Sequence, residues 1–106
     1  MQMSSLWEIL VPTIVNDKPV RTRHHRSWDE KVRSVSNGLM VFKPAHGQWI
    51  SPSGVLFKER MIPVRIACTE KQIEKIMKIT LKHYNQEEVL AYRLSSCVKF
   101  MKQSDN

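Results

Sequence analysis

The chain is poor in the residues that build several common sites. It has two cysteines, Cys68 and Cys97, and no CxxC pair. That leaves no disulfide framework and points to a reducing, cytoplasmic setting. Its three glycines, Gly38, Gly47 and Gly54, are widely spaced, which excludes a glycine-rich phosphate loop. The apolar opening, MQMSSLWEILVPTIV, is interrupted by Glu8. It has neither the length of a membrane span nor the basic start and small-residue cleavage site of a signal peptide. Four histidines are present, but no HxxxH, HExxH or Cys/His cluster, so neither a metal nor a cofactor is expected. Acidic side chains are also scarce: ten Asp and Glu against seventeen Lys and Arg give a formal charge of +7. This balance suits an anionic small molecule, a nucleotide or a nucleic acid, or else a solvated basic surface.

What is present reads as one domain over residues 1–106, with a core from about 6 to 100 and a frayed tail. LWEILVPTIV, residues 6–15, is β-branched and apolar and predicts a strand. NDKP, 16–19, is turn chemistry. RTRHHR, 21–26, lacks an apolar period and reads as a loop or an extended approach to a helix. Ser27 and Glu30 have the spacing of a capping box, followed by Trp28, Val32 and Val35 on one helical stripe and Asn37-Gly38 as a stop. GLMVFK, 38–43, predicts a strand, AHGQW a hairpin rim with SPSG as its turn, and 55–68 a long strand. In that long strand Ile62, Val64, Ile66 and Cys68 share one face. Thr69 and Gln72 form a second capping box, before a helix carrying Ile73, Ile76, Met77, Leu81 and Tyr84 on one side. Residues 88–100 predict a last strand.

The order βαββαβ suits a ferredoxin-like α+β sandwich: a four-stranded antiparallel sheet in order 4-1-3-2 with both helices on one face. Cys68 and Cys97 would then lie two strands apart, about 10 Å, too far to bridge. Pro12 and Pro63 fall in the central strands, where a local break in each is expected. Both faces of the first strand are largely apolar, so the face without helices needs a cover, and a second copy in a homodimer is the simplest one.

The stretch G-L-M-V … G-Q-W … G-V-L-F-K-E, with the helix TEKQIEKI after it, resembles a small bacterial family of uncharacterised proteins similar to dimeric, ferredoxin-like α+β-barrel proteins. The matching residues are Gly38, Leu39, Gly47, Trp49, Gly54 and Glu59, with Tyr84, Gln86 and Glu87 at the end of the second helix. Met40 stands where a threonine is expected, and RTRHHR lies outside the pattern. The resemblance implies the fold and a dimer, and brings no activity with it.

Two places could carry chemistry. Arg21, Arg23, His25 and Arg26 precede a helix start and could clamp a phosphate or carboxylate, the plainer alternative being a solvated basic loop. His46, Trp49, Glu59 and Arg60 could meet in the hairpin as an acid–base corner on an aromatic wall. The alternative is that Trp49 packs the hairpin and Glu59 pairs with an arginine. Lys71, Lys75, Lys78 and Lys82 make a basic stripe on the second helix that could track phosphates. Only Phe57 offers a base-stacking aromatic on the third strand, and no RNP-like motif exists. Three readings follow: a homo-oligomeric binder of an anionic small molecule or nucleotide, a nucleic-acid or protein-interaction module using residues 21–26 and the lysine stripe, and a dimeric α+β-barrel enzyme using His46 or Glu59. None calls for the membrane.

Overall fold

A computed structural model describes residues 4–105. Strand β1 (Ser5–Pro12) leads to a small hairpin of β2 (Ile14–Val15) and β3 (Lys18–Pro19), then helix α1 (Thr22–Ser36). β4 (Met40–Val41), β5 (Ala45–Ile50) and the long β6 (Leu56–Cys68) follow, then α2 (Glu70–His83) and β7 (Ala91–Ser95). β4 and β5 both pair with β6, β6 with β1, and β1 with β7, all antiparallel. Read from β7, this is the 4-1-3-2 order of a ferredoxin-like sandwich, with β4 and β5 together serving as the second strand. The fold expected from the sequence is the fold observed.

One face of the sheet carries the core. Ile9 and Val11 of β1 and Val64, Ile66 and Cys68 of β6 are buried against Trp28 and Val32 of α1 and Ile73, Ile76 and Tyr84 of α2. The indole N–H of Trp28 donates to Thr80 Oγ1 at 3.0 Å, and Thr80 donates to the Ile76 carbonyl, so the polar atoms between the helices are satisfied. The second capping box is present as read: Thr69 accepts from the Gln72 N–H, and the Gln72 side chain accepts from the Thr69 N–H. Asn37 ends α1 at φ 69°, its N–H on the Arg33 carbonyl. Asn16 and Asp17, both at positive φ, form the two-residue turn between β2 and β3, as a tight hairpin requires.

Four expectations need correction. RTRHHR is not a loop: α1 begins at Thr22 with Arg21 as an N-cap that makes no side-chain cap bond, and Ser27 lies inside the helix. His24 and His25 extend the Trp28 stripe one turn backwards at i−4 and i−3, and their contacts with α2 outweigh the local capping signal. AHGQW is not a rim: it lies in β5, and the turn is Ser51–Val55 alone, closed by the Ser51 N–H on the Val55 carbonyl at 2.9 Å. Pro12 ends β1, but β6 runs unbroken through Pro63. The Pro63 carbonyl accepts from Phe42, so its ring nitrogen faces the gap where β4 gives way to β5 and no ladder donor is lost there. The last strand stops at Ser95, so Cys97 lies beyond it. Both cysteines are free, Cys68 buried and Cys97 exposed. Burial alone raises the Cys68 thiol to about 11. Residues 96–102 have no regular secondary structure, and Gln103–Asp105 form one 3-10 turn. Residues 1–3 and 106 of the expected domain lie outside the described residues.

Candidate functional site: a corner where the two helices meet

The start of α1 and the end of α2 are joined by an aromatic lock. His24 Nε2 donates to the His83 carbonyl, and His83 Nε2 donates to the His24 carbonyl, both at 2.7 Å. The two rings stack with centroids 3.9 Å apart. Since a carbonyl only accepts, each ring carries its proton on Nε2. This leaves His83 Nδ1 to accept from Lys31 Nζ at 3.1 Å. His25 Nδ1 shares a 2.7 Å hydrogen bond with the Tyr84 hydroxyl. Burial holds His25 and His83 below the ordinary histidine value, and burial likewise pushes the Tyr84 phenol and the Asp29 carboxyl up.

A cavity of about 360 Å³ opens beside this lock. Val15, Pro19 and Val20 form apolar walls, Tyr84 an aromatic one, and Lys18 and Arg21 supply two cations. The first turn of α1, which starts at this mouth, carries no acidic residue and no side-chain cap. Of the clamp read from the sequence, Arg21 lines the cavity, His25 is held on Tyr84, and Arg23 and Arg26 are exposed side chains on the outer surface of α1. Lys18, His24, His83 and Tyr84 are the participants that the sequence reading missed. The 3.6-residue period of α1 extended back through His24 and His25 was the available signal.

The hairpin corner has a different geometry. In the β5–β6 register His46 faces Arg60, Gly47 faces Glu59 and Trp49 faces Phe57. Side chains alternate along a strand, so His46 and Arg60 occupy one face while Trp49 and Glu59 occupy the other. His46 and Glu59 therefore do not form an acid–base pair within one chain. The Trp49 ring folds over Gly47, where an added Cβ would lie 2.8 Å from it. Glycine at 47 makes room for the indole.

The open face of the sheet holds a polar row that the sequence did not reveal. Met40, Arg65, Glu8 and Tyr92 stand side by side across four strands. Glu8 is 7% exposed. Its Oε1 accepts from Arg65 Nε at 3.1 Å and its Oε2 from the Tyr92 hydroxyl. The Arg65 guanidinium also stacks on Phe42, 4.4 Å from the ring centre. Among the described residues no three His, Cys, Asp or Glu side chains gather into a group able to hold a metal ion.

The class defined by this architecture is the ferredoxin-like α+β sandwich. No family model and no curated protein matches the chain. Solved structures do match. CutA1 from Oryza sativa is 9% identical over 96% of this chain and 85% of that one, with a TM-score of 0.66. The divalent cation tolerance protein CutA1 of Thermus thermophilus is 9% identical, covering 96% and 90%, with a TM-score of 0.67. A phage SAM lyase in complex with S-methyl-5′-thioadenosine is 17% identical, covering 92% and 85%, with a TM-score of 0.65. At these identities the likeness is one of fold. The resemblance read from the sequence holds as far as the fold, and the neighbours that carry it are CutA1-type proteins. Among the described residues no helix is long and apolar enough to cross a membrane.

Proposed function

We propose that this chain is a homo-oligomeric binding protein for an anionic small molecule or nucleotide, taken up at the corner between α1 and α2. The observation that carries the reading is the 360 Å³ cavity in which Lys18 and Arg21 stand beside an uncapped helix start and against Tyr84 and apolar walls. The two cations suit a phosphate, and the aromatic and aliphatic wall suits a sugar or base. The domain is taken as the whole of residues 1–106, acting in the cytoplasm. The apolar side chains left at the β7 side of the sheet, Leu90 at 47% and Leu94 at 43% exposed, support a second copy as the cover. Calorimetry with AMP and with inorganic phosphate tests the reading. AMP is expected to bind, phosphate more weakly, and Arg21→Gln with Lys18→Gln to lower AMP affinity about tenfold or more. Equal binding by wild type and the double variant would overturn it. Tighter binding of a single-stranded oligonucleotide, lost steeply with salt, would move the function to the basic surface of Arg23, Arg26 and the α2 lysines, all exposed.

A second reading is enzymatic. The phage SAM lyase has the same fold and was solved with a nucleoside thioether, and this chain holds a shielded carboxylate against a tyrosine on its open sheet face, Glu8 with Tyr92. A lyase acting on S-adenosylmethionine would break the bond from the sulfonium sulfur to the aminobutyryl chain, release S-methyl-5′-thioadenosine with the bonding electrons, and let the chain's own carboxylate close on the freed carbon as a lactone. Incubation with S-adenosylmethionine, followed by chromatography for that product, decides this reading: product that Glu8→Gln abolishes supports it, and no turnover rejects it.

A further inference from the structure

A second cavity, of about 420 Å³, lies at the opposite end of α1, on the open sheet face. Its two polar walls have opposite sign. One is Arg65: its Nε is spent on Glu8 and one face of its guanidinium on the Phe42 ring, while its two terminal nitrogens make no hydrogen bond to the described residues. The other is the end of α1 at Ser36, Asn37 and Gly38, the negative pole of the helix. Of the carbonyls there, Val32 and Gly38 accept from the Ser36 hydroxyl, Arg33 from the Asn37 N–H and Val35 from the Gln72 side chain, while those of Ser34, Ser36 and Asn37 accept no hydrogen bond from the described residues. Leu6, Leu39 and Met40 complete the lining with apolar surface.

We propose that this cavity binds the zwitterionic head of an α-amino acid that has an unbranched apolar side chain. The carboxylate takes the free fork of Arg65 in bidentate fashion, the ammonium faces the carbonyl end of α1, and the side chain lies along Leu6 and Met40. Net charge argues for a zwitterion over a plain anion: Glu8 already offsets Arg65, so an unaccompanied anion would find a neutral ion pair, whereas a dipolar head matches both walls. Glu8 and Phe42 fix the guanidinium plane before the ligand arrives, which lowers the cost of ordering it. This site is separate from the corner cavity and does not depend on it.

The test is an amide NMR titration of the full chain with L-methionine, 4-(methylthio)butyrate and 3-(methylthio)propylamine. The first has both charges, the second lacks the ammonium and the third lacks the carboxylate. L-methionine is expected to shift the amides of Gly38, Leu39, Met40 and Ala67, with each truncated analogue weaker by about tenfold or more. Arg65→Lys keeps a cation beside Glu8 but loses the fork. It is expected to stay folded and to bind methionine about tenfold more weakly. Lys58→Gln, an exposed side chain of β6 outside this cavity, is expected to leave methionine binding unchanged. Absence of shifts at saturating methionine, equal binding of the butyrate analogue, or full affinity in a folded Arg65→Lys would each overturn the proposal.

Discussion

The two faces of one sheet are built on different rules. Ile9 and Leu10 are neighbours on β1. Ile9 points under the helices and is completely buried, with Val64 on β6 and Ala91 on β7 beside it. Leu10 points the other way and is only partly buried. The helix-covered face is close-packed and nearly free of charge. The open face has an ion pair and a tyrosine at its centre and exposed Met, Leu and Tyr side chains around them. Stability is therefore concentrated on the first face. The second carries polar groups that packing alone does not call for.

The largest expected effect breaks this comparison directly. Ile9→Ala should cost about 2–5 kcal/mol in chemical denaturation. Leu10→Ala should cost less than half as much in dilute solution, and its cost should grow with protein concentration if a second copy covers that face. Equal, concentration-independent losses would mean that the two faces are energetically alike. Next in size, Tyr92→Phe removes the hydroxyl on Glu8 and should cost about 1–2 kcal/mol, reported by the same denaturation curves. A neutral result would show that the polar row is incidental.

The helix-covered side also has a pH dependence. Burial holds His25 and His83 below the ordinary histidine value of 6.5 in the folded chain. Below pH 6.5 the unfolded chain takes up protons that the folded chain resists. Stability should be flat just above that pH, short of the alkaline range where the unfolded chain's thiol and phenol ionise, and fall as the pH drops from about 6.5 through the lower folded values. Protonation of His83 Nδ1 would also set a cation against Lys31. Melting temperatures across this range, compared with those of His83→Gln, check the sign, since the variant should fall less steeply. The smallest effect belongs to Gly47→Ala. A methyl group there meets the outer edge of the Trp49 ring, so the indole should swing aside. The expected cost is about 0.5–1 kcal/mol, with a change in tryptophan emission.

The features legible in the sequence were those with local causes. The Thr69 capping box, the Asn37 stop, the stripe of Ile73 and Ile76 and the alternation of β6 each depend on residues a few positions apart. Together they define the element order and hence the 4-1-3-2 sheet. The start of α1 was missed because His24 and His25 are stabilised by His83 and Tyr84, 59 residues away. β5 was missed because Gly47 and Gln48 are poor strand formers, held there by pairing to β6. The row of Arg65, Glu8 and Tyr92 joins positions 57 and 84 residues apart, and no local pattern encodes it. At the candidate corner, Arg21 was found from charge alone, whereas Lys18, His83 and Tyr84 reached it only through the fold.

The cover of the open face by a second copy is a proposal that the mass in solution can decide. Light scattering at low and at high salt tests it most directly. The expected result is a mass of two or more chains at both salt concentrations, reduced to one chain by Leu94→Asp, because an apolar cover does not depend on screened charge. A single-chain mass for the wild type at both salt concentrations would contradict it.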